Sequence, residues 1–338
     1  MKTPVPPPYR LDELRERVIA SLANADDERH LFVLRALAGG LDDPEYRPWE
    51  YYFRAEPVPD GLMREEWWYA VRTARASTAR PTPFIMTDGT RLTFNLPDRF
   101  LRLNEEITAQ ARGQVELPAE VATQGVRDRY LINSLYEEAI TSSQMEGAST
   151  TRRDAKKMLR EKKDPRTRSE RMILNNFLAL EFVRDHLGEE LTPEFICGVH
   201  RIVTDGTLDE AEDAGRLQRQ GEERIRIYGS EGDEQLLHVP PPAEELPERL
   251  QRLCDFANGV GEYASQYVPP LVRALVVHFM MGYDHYFVDG NGRTARVIAQ
   301  WVMLREGFFL MDFVPVSRLL HKAPAQYARS FLEVEQDE

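Results

Sequence analysis

The sequence is poor in cysteine, has no excess of basic residues and contains no long apolar run. Its 338 residues include two cysteines, Cys197 and Cys254, in apolar, helix-like contexts without the spacing of metal ligands. This pattern argues against a disulfide-stabilised secreted domain and against a zinc module. We expect two buried thiols in a reducing cytoplasm.

The excess of acidic over basic residues and the lack of a long apolar run argue against two further classes, nucleic-acid-binding proteins and membrane-spanning proteins. A formal net charge of −13 argues against a nucleic-acid-binding protein that depends on a broad basic face. The most apolar run, Leu271–Tyr283, is too short to span a bilayer and contains Arg273 and His278. The first residues, MKTPVPPPYR, include no apolar signal core. We therefore expect a cytoplasmic protein without membrane or nucleic-acid partners.

Apolar residues recur with helical spacing along most of the chain, which predicts a mainly α fold. We divide the chain into a mainly helical N-terminal region (1–120), a helix with a basic linker (121–163) and a C-terminal core (164–338). Within this pattern, 49–59 is expected to be an irregular connection and 317–334 a single helix. The basic run 152–163 is expected to be a solvated, exposed linker.

Two short segments interrupt the helical pattern between 215 and 242. Residues 224–228 (RIRIY) alternate polar and apolar side chains, as a half-buried strand does. A turn signal at 229–232 and a second short strand at 236–239 follow, and Pro240–Pro242 end the segment. This predicts a small β-hairpin inside a helical core. A second hairpin is predicted around Asp88 and Gly89.

The stretch HYFVDGNGRTAR (285–296) carries the chemistry. An apolar helix ends before His285, two glycines follow in a loop, and a new helix starts near Gly292. The start of a helix offers unpaired N–H groups to an anion, and glycine lets the backbone approach it closely. Arginine suits phosphate, a carboxylate can hold Mg²⁺, and histidine can accept a proton near neutral pH. The stretch therefore predicts a phosphate site with a metal ligand and a general base.

This stretch resembles the signature of the Fic family, HxFx(D/E)GNGRxxR, at every fixed position. Members often have proline after the histidine, where this chain has Tyr286. The resemblance implies a Fic-type helical bundle with a hairpin flap, in which His285 activates a Ser, Thr or Tyr hydroxyl. It implies that Asp289 binds Mg²⁺ and that Arg296 lies nearest the γ-phosphate of ATP. The implied phosphate-binding residues are Gly290, Asn291, Gly292, Arg293 and Arg296.

A second motif resembles the family's inhibitory pattern, (S/T)xxxE(G/N), on Ser142, Glu146 and Gly147. Ser142 and Glu146 share one face of a helix because they are four residues apart. The resemblance implies that Glu146 pairs with Arg296 and blocks the γ-phosphate site. It also implies that the hairpin pairs with the target as an added strand. The implied target-binding residues are Arg224, Ile225, Arg226, Ile227 and Tyr228.

The function predicted from the resemblance is transfer of AMP from ATP to a protein hydroxyl, with ATP and Mg²⁺ as cofactors and Glu146 as an internal inhibitor. The partners are an unidentified protein target and the chain itself as a substrate, and a homodimer is left open. Three alternatives stay open: removal of AMP from a modified protein, transfer of phosphocholine or phosphate on the same fold, and a non-catalytic regulatory module. The chain is expected to be shorter than relatives that continue into a further domain.

Overall fold

Capping residues in the sequence mark the start or the end of several helices in this protein. The computed structural model describes residues 7–23, 25–38, 45–54, 58–59, 61–112, 124–228, 236–262 and 264–336. Thr151, Thr167 and Thr192 each accept a hydrogen bond from the N–H three residues on and so begin a helix. Gly259 takes a left-handed conformation and ends another. Fourteen α-helices and two antiparallel hairpins lie in the described residues, which confirms the mainly α fold.

The chain divides into two compact units, of which the first comprises Met1–Glu105 and Ala328–Glu338. Buried Trp68 packs there with Leu14 and Tyr52. The expectation of an irregular connection at 49–59 is wrong for its first half. Residues 49–54 form a helix, and Tyr52 on it contacts the Trp68 ring at 5.0 Å. The elements are α1 (Leu11–Leu22), α2 (Asp27–Ala38), α3 (Trp49–Arg54), α4 (Arg64–Thr78), β1 (Arg80–Ile85), β2 (Arg91–Phe94) and the first part of α5 (Asp98–Ala111).

The second unit comprises Glu106–Tyr327 and contains every residue of the two motifs. The predicted boundary at 120–121 lies outside the described residues, and the three-part division of the chain stays a prediction. The elements are the end of α5, α6 (Gln124–Met145), α7 (Arg152–Arg160), α8 (Arg168–Asp185), α9 (Pro193–Thr204), β3 (Ile227–Tyr228), β4 (Leu236–His238), α10 (Leu246–Asn258), α11 (Pro270–Asp284), α12 (Asn291–Arg305), α13 (Val316–Leu320) and the start of α14 (Pro324–Gln336).

Helices α11 and α12 form the centre of this unit. They pack on each other, and α12 also contacts α6, α8 and α9. Nearly all of α12 is buried, including Trp301 and Ile298. The loop between α11 and α12 is therefore held in a rigid frame on both sides. Within the described part of the chain, no helix combines the length and the apolar character that a membrane crossing requires.

The basic run 152–163 is only partly the exposed linker that its charge predicts. Most of its basic side chains are exposed, but helix α7 buries Ala155, Met158 and Leu159 against a cluster that includes Tyr136 and Ile173. Burying these apolar side chains stabilises α7 against α6 and α8, which contribute most of the rest of the cluster. The segment therefore joins the core through one face and shows its charge on the other.

The predicted single helix 317–334 is wrong, because the chain breaks between α13 and α14. Pro324 begins α14, and proline cannot continue a preceding helix since it lacks an N–H and clashes with the turn before it. The hairpin predicted at 224–239 is present but short: Ile227 pairs with His238 and Tyr228 with Leu236. Its predicted turn at 229–232 lies outside the described residues. Cys254 is buried as expected, whereas Cys197 is only half-buried, and neither is in a disulfide.

Candidate functional site

The loop between α11 and α12 is closed by its own side chains. Asn291 donates from Nδ2 to the carbonyl of Phe287 at 2.7 Å and accepts from the Phe287 N–H at 2.9 Å. Asp289 accepts from the N–H of Gly290 at 2.6 Å. The side chain of Asn291 is thus occupied in fixing the loop, and the backbone N–H groups at the start of α12 are what the loop can present to an anion.

Gly290 is required by two separate features of this loop. Its φ is +82°, in the left-handed region that glycine adopts without strain. A Cβ at this position would also lie 2.6 Å from Cγ2 of Thr204 and 3.3 Å from Nε2 of His200. The loop therefore runs against α9 at a distance that only glycine permits.

His200 on α9 is a part of the site that the sequence did not reveal. Its Nε2 donates to the carbonyl of Asp289 at 2.8 Å, and its Nδ1 accepts from the N–H of Gly215 at 2.9 Å. Its ring stacks on Phe287 at 3.7 Å. Burial lowers its pKa to about 4, so it is neutral at physiological pH. These hydrogen bonds hold the loop that carries Asp289 against α9.

His285 is the first residue after α11 and is half-buried in a left-handed conformation, with φ 48° and ψ 61°. Burial lowers its pKa to about 4. A neutral imidazole at physiological pH is the form that can accept a proton. The ring nitrogen Nδ1 lies 3.4 Å from the carbonyl of Gly282. The geometry and the protonation state both suit a general base.

Asp289 lies at the rim of the loop, with 43% of its side chain exposed. Its Oδ2 is 3.7 Å from Nη2 of Arg293 and 3.5 Å from Nη2 of Arg168. Arg168 begins α8 and was not among the predicted site residues. In the part of the chain that the structure describes, no group of three or more metal-ligating side chains occurs. A single carboxylate is enough for Mg²⁺ when substrate phosphates and waters supply the remaining ligands.

Arg293 is a fully buried cation with hydrogen-bonding capacity to spare. Its side chain is 0% exposed, and Nη1 donates to the carbonyl of Val203 at 3.1 Å. Its Nε and Nη2 have no hydrogen-bond partner among the described residues. Buried polar groups are nearly always bonded, so unsatisfied donors on a guanidinium indicate a place for an anion.

Arg296 lies one turn further along α12, and its guanidinium is bonded to the end of α6. It donates from Nε to the Ser142 hydroxyl at 2.8 Å, and from Nη2 to the Ser142 carbonyl at 2.9 Å and to Glu146 Oε1 at 2.7 Å. A Cβ on Gly292 would overlap the Glu146 carboxylate, which therefore lies directly against the start of α12. Gly147, with φ +89°, turns the chain after α6. The structure thus brings both predicted motifs together.

The predicted hairpin residues are placed unequally. Tyr228 is 51% exposed and Ile225 is 38% exposed, while Ile227 is half-buried in β3 and Arg226 is exposed before it. Arg224 points inward instead: it donates to the carbonyls of Asp284 and His285. Four of the five residues are therefore placed on or next to the edge of the hairpin, and the fifth contacts the loop.

The part of the chain that contains this loop is similar to known proteins. Residues 190–303 match the model of the Fic/DOC family. A stretch of 138 residues, 40% of this chain, is 31% identical to the protein adenylyltransferase Fic of Drosophila willistoni and covers 24% of it. A stretch of 120 residues, 36% of this chain, is 30% identical to the protein adenylyltransferase fic-1 of Caenorhabditis elegans and covers 20% of it. The matched part of the chain thus spans a quarter or less of the length of these curated relatives.

Two solved structures share the fold. A fragment of Fic-1 from C. elegans matches with a TM-score of 0.50 and 17% identity, covering 97% of this chain and 98% of that one. A Fic family protein from Desulfovibrio desulfuricans G20 matches with a TM-score of 0.50 and 21% identity, covering 70% of each chain. At these identities the likeness shows the fold alone.

Proposed function

We propose that this chain, which contains a Fic domain, is a protein adenylyltransferase that moves AMP from ATP to a hydroxyl of a target protein. One observation carries the proposal. A neutral imidazole, a rim carboxylate and a buried guanidinium with unsatisfied N–H groups, from His285, Asp289 and Arg293, lie along one loop and the helix that follows it. Curated relatives named as protein adenylyltransferases support the same reaction.

The residues present fit a triphosphate. Gly290 and Gly292 carry no side chain, so phosphate oxygens can approach the backbone N–H groups at the start of α12 once the Glu146 carboxylate beside Gly292 is displaced. The Nε and Nη2 donors of Arg293, which have no hydrogen-bond partner among the described residues, can bind the phosphate chain. Asp289 would hold Mg²⁺. Arg168 and Arg293 lie within 4 Å of the Asp289 carboxylate and offset part of its negative charge. Magnesium, when bound, neutralises charge on the phosphate oxygens during transfer.

The chemistry then depends on one proton and one leaving group. His285 accepts the proton of the target Ser, Thr or Tyr hydroxyl as its oxygen bonds to the α-phosphorus. The bond between that phosphorus and the bridging oxygen breaks, and pyrophosphate leaves. Arg293 stabilises the charge that grows on the leaving oxygens. Its burial makes this contact stronger than it would be in water.

Glu146 is proposed to regulate this reaction. Its carboxylate bonds the guanidinium of Arg296, the second arginine of the signature, and lies against Gly292. A terminal phosphate placed next to Arg296 would be repelled by the negative charge of the Glu146 carboxylate. Replacing that carboxylate is therefore expected to open the site to ATP in a reactive pose.

The hairpin is proposed to hold the target. β3 exposes Tyr228, and a short strand can bind an extended peptide by backbone pairing. Modification of the chain by itself and a homodimer stay predictions. Two cysteines without a disulfide fit the cytoplasmic location predicted from the sequence.

Mass spectrometry of the purified protein after incubation with ATP and Mg²⁺ tests the function. We expect AMP on Glu146→Gly, little on wild type, and none on Glu146→Gly/His285→Ala. Gln144→Gly is the control, because it weakens the same end of α6 without contacting Arg296. The proposal fails if Glu146→Gly stays folded, binds ATP and modifies neither itself nor any protein of a lysate.

The same samples separate the alternative reactions. If wild type removes AMP from protein modified by Glu146→Gly, and Glu146→Gly does not, then Glu146 serves a hydrolytic reaction. If phosphate or phosphocholine appears in place of AMP, the donor differs. If no variant binds ATP with Mg²⁺, the domain is a regulatory module.

A further inference from the structure

Side chains of the hairpin segment donate hydrogen bonds to the turn that carries His285. The inference drawn from this contact rests on the proposed transfer reaction. We propose that Arg224 is a positioning residue: it fixes the backbone of His285 and couples the hairpin, where the target docks, to the catalytic base. This differs from the role in target binding that the sequence predicted for Arg224.

The backbone at His285 needs such a constraint. Its φ of 48° lies in the left-handed region, which a residue with a Cβ seldom adopts unless its surroundings impose it. The position also follows the last residue of α11, where the final carbonyls of a helix have no partner inside the helix. Arg224 donates from Nη2 to the carbonyl of Asp284 at 2.7 Å and to that of His285 at 3.0 Å. A cation there also suits the negative end of the helix dipole.

Both limbs of the hairpin hold the same turn. Arg224 lies three residues before β3, and its Nε donates to the carbonyl of Pro241, beyond β4, at 2.8 Å. Its Nη1 bonds the side-chain oxygen of Gln218. From β4 itself, His238 donates from Nε2 to the carbonyl of Tyr283 at 2.7 Å. Three consecutive carbonyls at 283–285 are therefore bound by side chains of the hairpin segment.

The opposite side of the turn is fixed by buried charge. Asp284 is fully buried, bonds Nε of Arg249 at 2.7 Å and accepts from the hydroxyl of Tyr286 at 2.6 Å. The carbonyl of Tyr286 accepts from the N–H of Gln218 at 2.9 Å. Tyr286 stands where the family signature often has proline, and here its side chain supplies a restraint through hydrogen bonding. Arg224 therefore links this fixed turn to the hairpin, together with His238.

A consequence follows for the protonation of His285. The charged and titratable groups that act on it are Arg224 and His238 from the hairpin segment and Glu146 from the end of α6. After burial and the contact with the Gly282 carbonyl, the positive charge of Arg224 is the next influence and lowers the pKa. Removing that charge should raise the pKa of His285. As the pH is lowered, the imidazole would then become protonated at a higher pH than in the parent.

The test compares Arg224→Gln, Arg224→Lys and the control Arg219→Gln, which changes an exposed arginine five residues earlier. NMR titration of the His285 imidazole gives its pKa without need of turnover. We expect a higher pKa in Arg224→Gln and an unchanged one in Arg224→Lys and Arg219→Gln. Thermal unfolding verifies that each variant is folded.

The same substitutions in the Glu146→Gly parent test positioning. We expect kcat for transfer to fall about 10-fold to 100-fold in Arg224→Gln, as displacement of a catalytic group does, with the KM for ATP unchanged. The acidic limb of the rate profile should move to higher pH, and Arg224→Lys should lose rate without that movement. The inference is overturned if a folded Arg224→Gln matches Arg219→Gln in the His285 pKa. A parent without transfer would refute the proposed function, and the titration would still decide the link.

Discussion

Arg293 and Arg296 lie three residues apart on one helix, and the structure gives them opposite states. Arg293 is fully buried and keeps two nitrogens without a hydrogen-bond partner among the described residues. Arg296 is almost as buried, yet it bonds the hydroxyl and carbonyl of Ser142 and the carboxylate of Glu146. One half of the site has capacity for an anion, while in the other half a carboxylate of the chain already takes the place of one.

Under the proposed function, one carboxylate is enough to close the site to the terminal phosphate of ATP. The loop, the glycines and His285 are already in place while Glu146 is paired with Arg296. A charge-assisted hydrogen bond of this kind contributes roughly 1.5–3 kcal/mol. Since about 1.4 kcal/mol corresponds to a tenfold change in affinity, the pair can shift nucleotide binding by a factor of ten or more. Regulation can therefore rest on one ion pair, without any rearrangement of the catalytic loop.

The largest loss of activity is expected when Arg293, the arginine with unbonded donors, is replaced. In the Glu146→Gly parent, Arg293→Gln should reduce AMP transfer by about 10²–10³-fold, the loss typical of deleting one preorganised donor to transition-state charge. Steady-state transfer assays with increasing ATP measure it. Arg305→Gln is the matched control, since this arginine ends the same helix and bonds Asn258 instead of the loop. Equal activity of the two variants would contradict the role given to Arg293.

A substitution at Gly290 tests the anion-binding loop through its backbone and leaves the side chain of Arg293 unchanged. Gly290→Ala adds a Cβ at φ +82° that would lie 2.6 Å from Thr204, so the loop must shift. We expect a loss of unfolding free energy of about 1–3 kcal/mol, together with weaker ATP binding. Denaturant unfolding and calorimetry measure these two quantities.

Gly188→Ala serves as its control because a Cβ there meets nothing within 4 Å and the backbone is not left-handed. If Gly290→Ala were as stable and as competent in binding as Gly188→Ala, the close approach of the loop to α9 would not matter.

The sequence predicts local features of this site better than remote ones. The helix end before His285, the loop with Gly290 and the new helix carrying both arginines all follow from neighbouring residues and were placed correctly. The approach of Glu146 to Arg296 was expected only from the family resemblance, because 150 residues separate the two. Spacing within one helix carries no information about such a distant contact.

The missed contacts share a physical cause. His200 and Arg224 act through hydrogen bonds to backbone carbonyls, which every residue possesses, so no pattern of side chains marks the partner. The inward direction of Arg224 is hidden too, since alternation along a strand predicts a face but not a partner. The broken helix at 317–334 is a different failure. Pro324 is a visible helix-breaking signal in the sequence, but the prediction gave more weight to the helical spacing of the apolar residues.

Isothermal titration with ATP and with ADP, in the presence of Mg²⁺, tests the central claim most directly. All proteins would carry His285→Ala so that no transfer consumes the ligand. If Glu146 takes the place of a terminal phosphate on Arg296, its replacement by glycine strengthens ATP binding about tenfold or more and leaves ADP binding unchanged. Equal gains for the two nucleotides, or no gain for ATP, would contradict the account.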